Sequence, residues 1–259
     1  MKRVKVLSKS YVEIPHLPKK SVTLVFVDNR IKQDISKELV NRGVEFIKTV
    51  PCRELHEAIR FHPDMVIQHL EEKNILVAPN VINYYRPRLE QLGFDVIEGK
   101  TYLQSNYPNN IAYNICRVGD FIIHNFKYTD EVFMRYFENS GLTKIHVKQG
   151  YTKCSVAVVN ETAMITSDTG IHREVLKFGI DSLLIDTGDI SLPKLDYGFI
   201  GGTCGYLNKK DLAFFGNPQY HKDYENILLF LKKYNKNIVS LNNQQLQDYG
   251  TLMPLMEMD

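Results

Sequence analysis

The feature that most constrains this chain is a short apolar run, ending in Asn or Asp, that recurs five times. The runs are SVTLVFVDN (21–29), KNILVAPN (73–80), GDFIIHN (119–125), ETAMITSD (161–168) and DLAFFGN (211–217). Their ends are spaced by 43 to 51 residues, a period typical of folds assembled from repeated supersecondary units. A helical pattern follows each run: ISKELVNRG, YYRPRLEQLG, DEVFMRYFENSG, HREVLKFG and YENILLFLKKYN. Four of these close on Gly and the fifth on Asn, the residues that tolerate a left-handed helix C-cap. The Asn or Asp that ends a run is a candidate N-cap for the helix after it.

A short strand is expected after every helix: VEFIKT, FDVIEG, TKIHVKQ, DSLLIDTG and KNIVSL. A variable loop leads to a second strand, read as MVIQHL, IAYNICRV, SVAVVN, FIGGTCGYL and TLMPLM, and a turn leads into the closing run. The units span approximately 29–80, 81–125, 126–168, 169–217 and 218–257 of a single domain covering 1–259. The fifth finishes near Leu255 and Met256 with no closing strand, whereas strand 21–28 belongs to no preceding unit. The economical resolution is that the first strand completes the fifth unit. The expected fold class is therefore α/β: a five-bladed, pseudo-fivefold propeller of ββαβ units, its ring closed by the N-terminal strand. Closure also removes exposed sheet edges. A doubly wound parallel sheet would place a helix after every strand, and no G-x-G-x-x-G opens a helix here.

The remaining bulk properties narrow the function. With 44% hydrophobic and 24% charged residues the chain is ordinary for a globular protein. A net charge of +2, without clustered Lys and Arg, gives no reason to expect nucleic acid. The basic opening (Lys2, Arg3, Lys5, Lys9, Lys19, Lys20) reads as a solvated tail, and no apolar signal-peptide region follows it. No stretch approaches the roughly 18 apolar residues of a membrane span. Cys52, Cys116, Cys154 and Cys204 form no C-x-x-C pair, and free thiols in the cytoplasm are expected. His56, His62 and His69 are spaced too irregularly for a metal face, so neither a metal nor another cofactor is expected.

Five such units in a ring resemble the pentein superfamily, the guanidino-group-modifying enzymes. Its members include arginine and agmatine deiminases, dimethylarginine dimethylaminohydrolases, amidinotransferases and the ribosome anti-association factor six. The chain looks most like an uncharacterised bacterial GME-fold domain of unknown function. Pro63-Asp64-Met65-Val66-Ile67 resembles the P-D-x-V-F of the dimethylarginine hydrolases, and Leu252-Met253-Pro254-Leu255 the M-S-M-P-L after the catalytic cysteine of arginine deiminases. The resemblance implies a cysteine nucleophile, a histidine proton carrier and carboxylates around a cationic substrate. The chain departs from that pattern. Gly250 and Thr251 stand in the cysteine's place, and Tyr151-Thr152-Lys153-Cys154 where the third-unit histidine belongs. Asn109 or Asn110 replaces the second-unit acid, and His69 and Leu70 the acidic pair of the first unit.

The start of each inner strand should line a central pore. Candidates are His62 and Asp64; Asn109, Asn110 and Asn114; Lys153 and Cys154; Thr203 and Cys204; and Asp248, Tyr249 and Thr251. Cys204, in the glycine-rich Gly201-Gly202-Thr203-Cys204-Gly205, is the proposed nucleophile, with His62 as proton carrier. Asp64, Asn109, Asn110, Asn114, Lys153, Thr203, Tyr249 and Thr251 are the proposed ligand contacts. Read as strand residues, His62 and Asp64 share a face, while Lys153 and Cys154 point apart, making Cys154 a core residue. The expected partner is a small polar molecule, amino-acid or amidine-like, handled by a C–N hydrolase with a non-standard site. The alternative is a non-enzymatic scaffold for a macromolecule.

Overall fold

The computed structural model describes residues 9–259. The chain runs β1 (Lys9–Tyr11), β2 (Val22–Val27), α1 (Gln33–Asn41), β3 (Glu45–Lys48), α2 (Pro63–Val66), β4 (Ile67–Glu71) and β5 (Asn74–Val77). It continues through α3 (Ile82–Gln91), β6 (Asp95–Glu98), β7 (Cys116–Val118), β8 (Phe121–His124), α4 (Glu131–Tyr136) and β9 (Thr143–His146). Next come α5 (Thr152–Ser155), β10 (Val156–Asn160), β11 (Ala163–Thr166), α6 (Thr169–Leu176) and β12 (Asp181–Leu184). A 3-10 turn (Ile200–Thr203), β13 (Cys204–Tyr206), β14 (Asp211–Phe214), α7 (Tyr224–Lys233), β15 (Asn237–Ser240) and β16 (Met253–Met258) complete it. No helix among the described residues is long and apolar enough to cross a membrane.

These strands form five small mixed sheets: β4-β5-β6, β7-β8-β9, β10-β11-β12, β13-β14-β15 and β1-β16-β2-β3. Each apolar closing run pairs antiparallel with the strand before it and parallel with the strand after the next helix. The antiparallel pair needs only a tight turn, whereas the parallel pair needs a helical crossover. Each sheet therefore takes its third strand from the following sequence unit. In the fifth sheet β2 pairs antiparallel with β16, Met253 opposite Phe26 and Glu257 opposite Val22, and parallel with β3. The two ends of the chain thus share one sheet.

The helices cover the sheets through apolar residues four apart, as a single buried stripe requires: Ile35 and Leu39, Tyr85 and Leu89, Ile171 and Val175, Ile227 and Leu231. The caps follow the sequence. Gly43, Gly93, Gly141, Gly179 and Asn235 all have φ between +54° and +87° just past their helices. At the N-termini the expectation holds in part. Asp168 caps α6 through the Ile171 N–H and Asn217 caps a short turn, but the N-cap of α1 is Lys32, with no side-chain cap bond, and α4 is capped by Asp130.

Two expectations are corrected. Lys9 does not belong to a solvated tail, because β1 hydrogen-bonds along β16, and buried Glu257 accepts the backbone N–H groups of Lys19 and Lys20 at 2.7 and 2.8 Å. Lys2, Arg3 and Lys5 lie outside the described residues. The inner strands also begin later than their apolar patterns suggest. Pro63–Val66, Thr152–Ser155 and Ile200–Thr203 are helical turns that lead into β4, β10 and β13. Pro63 opens the first of them at the position where its fixed φ suits a helix and its missing N–H costs nothing.

Candidate active site

The turns ahead of the inner strands, with segments 111–114 and 248–251 in the other two sheets, touch one another in a closed cycle. The Asn114 side-chain amide reaches the Asp64 carbonyl at 3.2 Å, and the Asn114 carbonyl accepts the Thr152 hydroxyl at 2.8 Å. The Lys153 ammonium donates to the Gly201 carbonyl at 3.2 Å, and Gly202 O accepts the N–H groups of Tyr249 and Thr251 at 3.0 Å. Gly250 then packs on His62. A Cβ at residue 250 would lie 2.2 Å from that of His62, and its φ of +68° already favours glycine.

On one side of this cycle lies a cavity of about 310 Å³. Its buried end is made by His62, Met65, Cys154 and Asp248, and its walls include Tyr151, Phe199, Leu192 and Ile59. At its exposed end stand Leu195, Asp196 and Tyr197. Asp64 lies directly behind Cys154, whose thiol donates to Asp64 Oδ2 at 3.1 Å. Suitable atoms of His62, Asp64 and Cys154 all lie within 4.8 Å of one another.

Asn114 fixes this geometry. Its Oδ1 accepts the N–H groups of Lys153 and Cys154 at 2.9 and 3.1 Å, and its Nδ2 lies 3.1 Å from Cys154 Sγ. Asp248 ties the floor to the wall, accepting the Phe199 N–H through Oδ2 and the Gly250 N–H through Oδ1, both at 2.9 Å. Asp28 is engaged by Arg30, with Nη2 at 2.6 Å and Nε at 3.0 Å. That leaves His62 between two carboxylates it does not reach, Nε2 3.9 Å from Asp28 and Nδ1 3.8 Å from Asp248. Both ring nitrogens, and Asp64 Oδ1, are buried without a hydrogen-bond partner. Folded proteins leave few buried polar atoms without a partner.

Burial dominates the electrostatics. It pushes His62 down to about 3, with the Arg30 charge adding to the effect, so the imidazole is neutral. It lifts Asp64 to about 7, against the pull of Lys153, and Asp248 to about 6. The Cys154 thiol is held well above its usual value, first by burial and then by the negative charge of Asp64. A cation entering beside Asp64 would favour the carboxylate and thiolate forms together.

The site differs from the one drawn from sequence. His62, Asp64 and Asn114 do come together. Cys204 instead sits with its Sγ 3.5 Å from the Ile200 carbonyl, beside a void of about 10 Å³ shared with His16, Lys153 and Thr251. Burial raises its thiol to about 11, and it lines a different cavity from His62. Lys153 faces the same void, and the hydroxyls of Thr203 and Thr251 are spent on the Ile200 and Cys204 carbonyls. Tyr249 packs in the core against Phe215. Asn109 is exposed, and Asn110 is buried with its amide on the Ser105 carbonyl. Strand alternation misplaced Cys154: in the helical turn α5 it turns to the cavity that a strand would have denied it. Asp28, near the end of the first apolar run, and Arg30, just after that run, belong to no motif that marks them as chemistry.

Small mixed sheets with this strand order define the class: the fold is that of the pentein superfamily. It is similar to C. jejuni agmatine deiminase (TM-score 0.56, 11% identity, 93% of each chain covered). It is also similar to an amidinotransferase of the saxitoxin pathway from Microseira wollei (TM-score 0.54, 13% identity, 88% of this chain and 91% of that one). A third match is the inosamine-phosphate amidinotransferase of Streptomyces griseus (TM-score 0.54, 10% identity, 90% and 91% covered). At such identities the likeness is one of fold. No curated protein matches the sequence. Residues 26–253 match the Family of unknown function (DUF6873), and the chain belongs to that family.

Proposed function

We propose that this protein is a five-bladed α/β propeller whose central cavity binds a small amidine- or guanidine-bearing molecule and cleaves a C–N bond in it, with Cys154 as nucleophile. The cycle of contacts among the five turns supports the ring. The observation that carries the chemistry is the convergence of Cys154 and an unpartnered His62 at the buried end of one cavity, with Asp64 hydrogen-bonded to that thiol. Buried carboxylates with an apolar and aromatic wall suit a planar cation, which gains from burying its faces while its N–H groups meet Asp64 and Asp248. The relatives named above as a deiminase and amidinotransferases share the fold in which such groups are handled.

The step follows from these groups. Binding of the cation favours ionised Asp64, which takes the proton of the Cys154 thiol along the hydrogen bond it already accepts at 3.1 Å. The sulfur forms a bond to the amidine carbon, and the C–N bond to the departing amine breaks as that nitrogen takes the proton from Asp64. Water then adds to the carbon of the S-linked intermediate, and its proton returns through Asp64 to the leaving sulfur. The balance is one water consumed and one amine released. Cys204, the nucleophile expected from sequence, lines a void of only about 10 Å³, too small to admit an amidine.

The test is a panel of amidines and guanidines incubated with the protein, following amine or ammonia release and the intact mass of the quenched enzyme. Cys154→Ser should lower turnover at least about a thousandfold and abolish the covalent adduct, whereas Cys204→Ser should leave both. Turnover that survives Cys154→Ser would refute the assignment.

A further inference from the structure

The geometry points to a second property of this cluster: His62, Asp64 and Cys154 form a binding site for a borderline-soft divalent cation of the Zn²⁺ class, with its fourth position open to the cavity. Metal binding stands without the reading above. Its consequence for catalysis, that a metal on Cys154 Sγ blocks the nucleophile, rests on that reading.

Three observations carry the site. The donors are an imidazole nitrogen, a carboxylate oxygen and a sulfur, and their ligand atoms lie within 4.8 Å of one another. Around a tetrahedral ion with bonds of about 2.1 Å, neighbouring ligand atoms stand about 3.4 Å apart. Small side-chain rotations from the present positions therefore close the shell. Secondly, both ring nitrogens of His62 and Oδ1 of Asp64 lack partners, so each residue has a free ligand atom for a metal, and both residues are fully buried. Thirdly, a second layer already exists. Asn114 Nδ2 lies 3.1 Å from Cys154 Sγ and steadies it without competing for the metal.

Charge and softness select the ion. The thiolate and carboxylate carry two negative charges, Arg30 is committed to Asp28 and the Lys153 ammonium is tied to the Gly201 carbonyl, so a divalent cation suits the buried pair. Sulfur and imidazole favour Zn²⁺ or Co²⁺ over Mg²⁺ and Ca²⁺, which take oxygen ligands. On binding, the thiol bond to Asp64 Oδ2 gives way to a sulfur–metal bond, and the thiol proton passes to solvent. The two histidines nearest in sequence, His56 and His69, take no part. The ligands come instead from two turns ninety residues apart, which is why histidine spacing does not reveal the site.

The experiment uses the full chain, stripped with a chelator and titrated with Co²⁺, reading the near-ultraviolet thiolate-to-cobalt charge-transfer band. One equivalent should give the band, and Zn²⁺ should displace it. Cys154→Ser should remove the band. Asp64→Asn, which conserves shape, should weaken Zn²⁺ binding at least about tenfold, and Cys204→Ser should leave both unchanged. Should Cys154→Ser fail to fold, Zn²⁺ protection of Cys154 from iodoacetamide in the unaltered protein reads the same contact. No band in the unaltered protein, or a band that persists in folded Cys154→Ser, overturns the site. Amidine turnover by the metal-free protein separates the two readings: the band without turnover removes the enzyme and leaves the metal site, and turnover without the band does the reverse.

Discussion

At the scale of single residues, the site runs on burial. Asp64, ordinarily at 3.8, is lifted to about 7 because the folded chain removes its carboxylate from water. The folded state therefore holds a proton there that the unfolded chain has lost between about pH 4 and pH 7. Since stability falls with pH wherever the folded state binds more protons, this group lowers stability progressively across that window. His62, depressed from 6.5 to about 3, acts in the opposite sense, because the unfolded chain binds the extra proton and stability rises with pH there. Asp64→Asn isolates the carboxylate. Its stability relative to the unaltered protein should increase between pH 4 and 7 by on the order of 2–4 kcal/mol and level off above. Urea titrations at several pH values measure this, and a pH-independent difference between the two proteins would contradict it.

At the scale of elements, legibility depended on whether a residue's role was local. The five left-handed caps at Gly43, Gly93, Gly141, Gly179 and Asn235 could be read directly, because a helix end demands a residue free to take positive φ. The closing runs and the strands after the helices were equally readable, being apolar and bounded by caps. The inner strands were not. Asp64 and Cys154 lie in four-residue helical turns, too short for any periodicity; read as strand, they pair His62 with Asp64 but leave Cys154 in the core. The juxtaposition of Cys154 with Asp64 depends on Asn114 bridging two turns, and no local pattern encodes it. A capping prediction belongs at this scale. Asp168 accepts the Ile171 N–H at 2.8 Å and also holds Gln149 at 3.0 Å. Asp168→Ala should cost about 1–2 kcal/mol, visible as a lower melting temperature with unchanged secondary structure.

At the scale of the whole molecule, the pairing of β2 with β16 makes the site dependent on both ends of the chain. His62 packs on Gly250, just ahead of β16, so the floor of the cavity is complete only when the last sheet has formed. Deleting residues 253–259 would strip β2 of its antiparallel partner, expose a long apolar edge and remove the buried Met253 and Leu255. The truncated chain should lose its cooperative thermal transition and aggregate, and a sharp transition near that of the full chain would show that the ends fold independently. The claim on which function depends is that one thiol of the four answers to a cation. Peptide mapping after brief iodoacetamide treatment, with and without a small amidinium such as acetamidine, tests it most directly. Label should appear at Cys154 ahead of Cys52, Cys116 and Cys204, at a rate that changes when the amidinium is added. Label confined to another cysteine, or a Cys154 rate indifferent to the cation, would contradict the account.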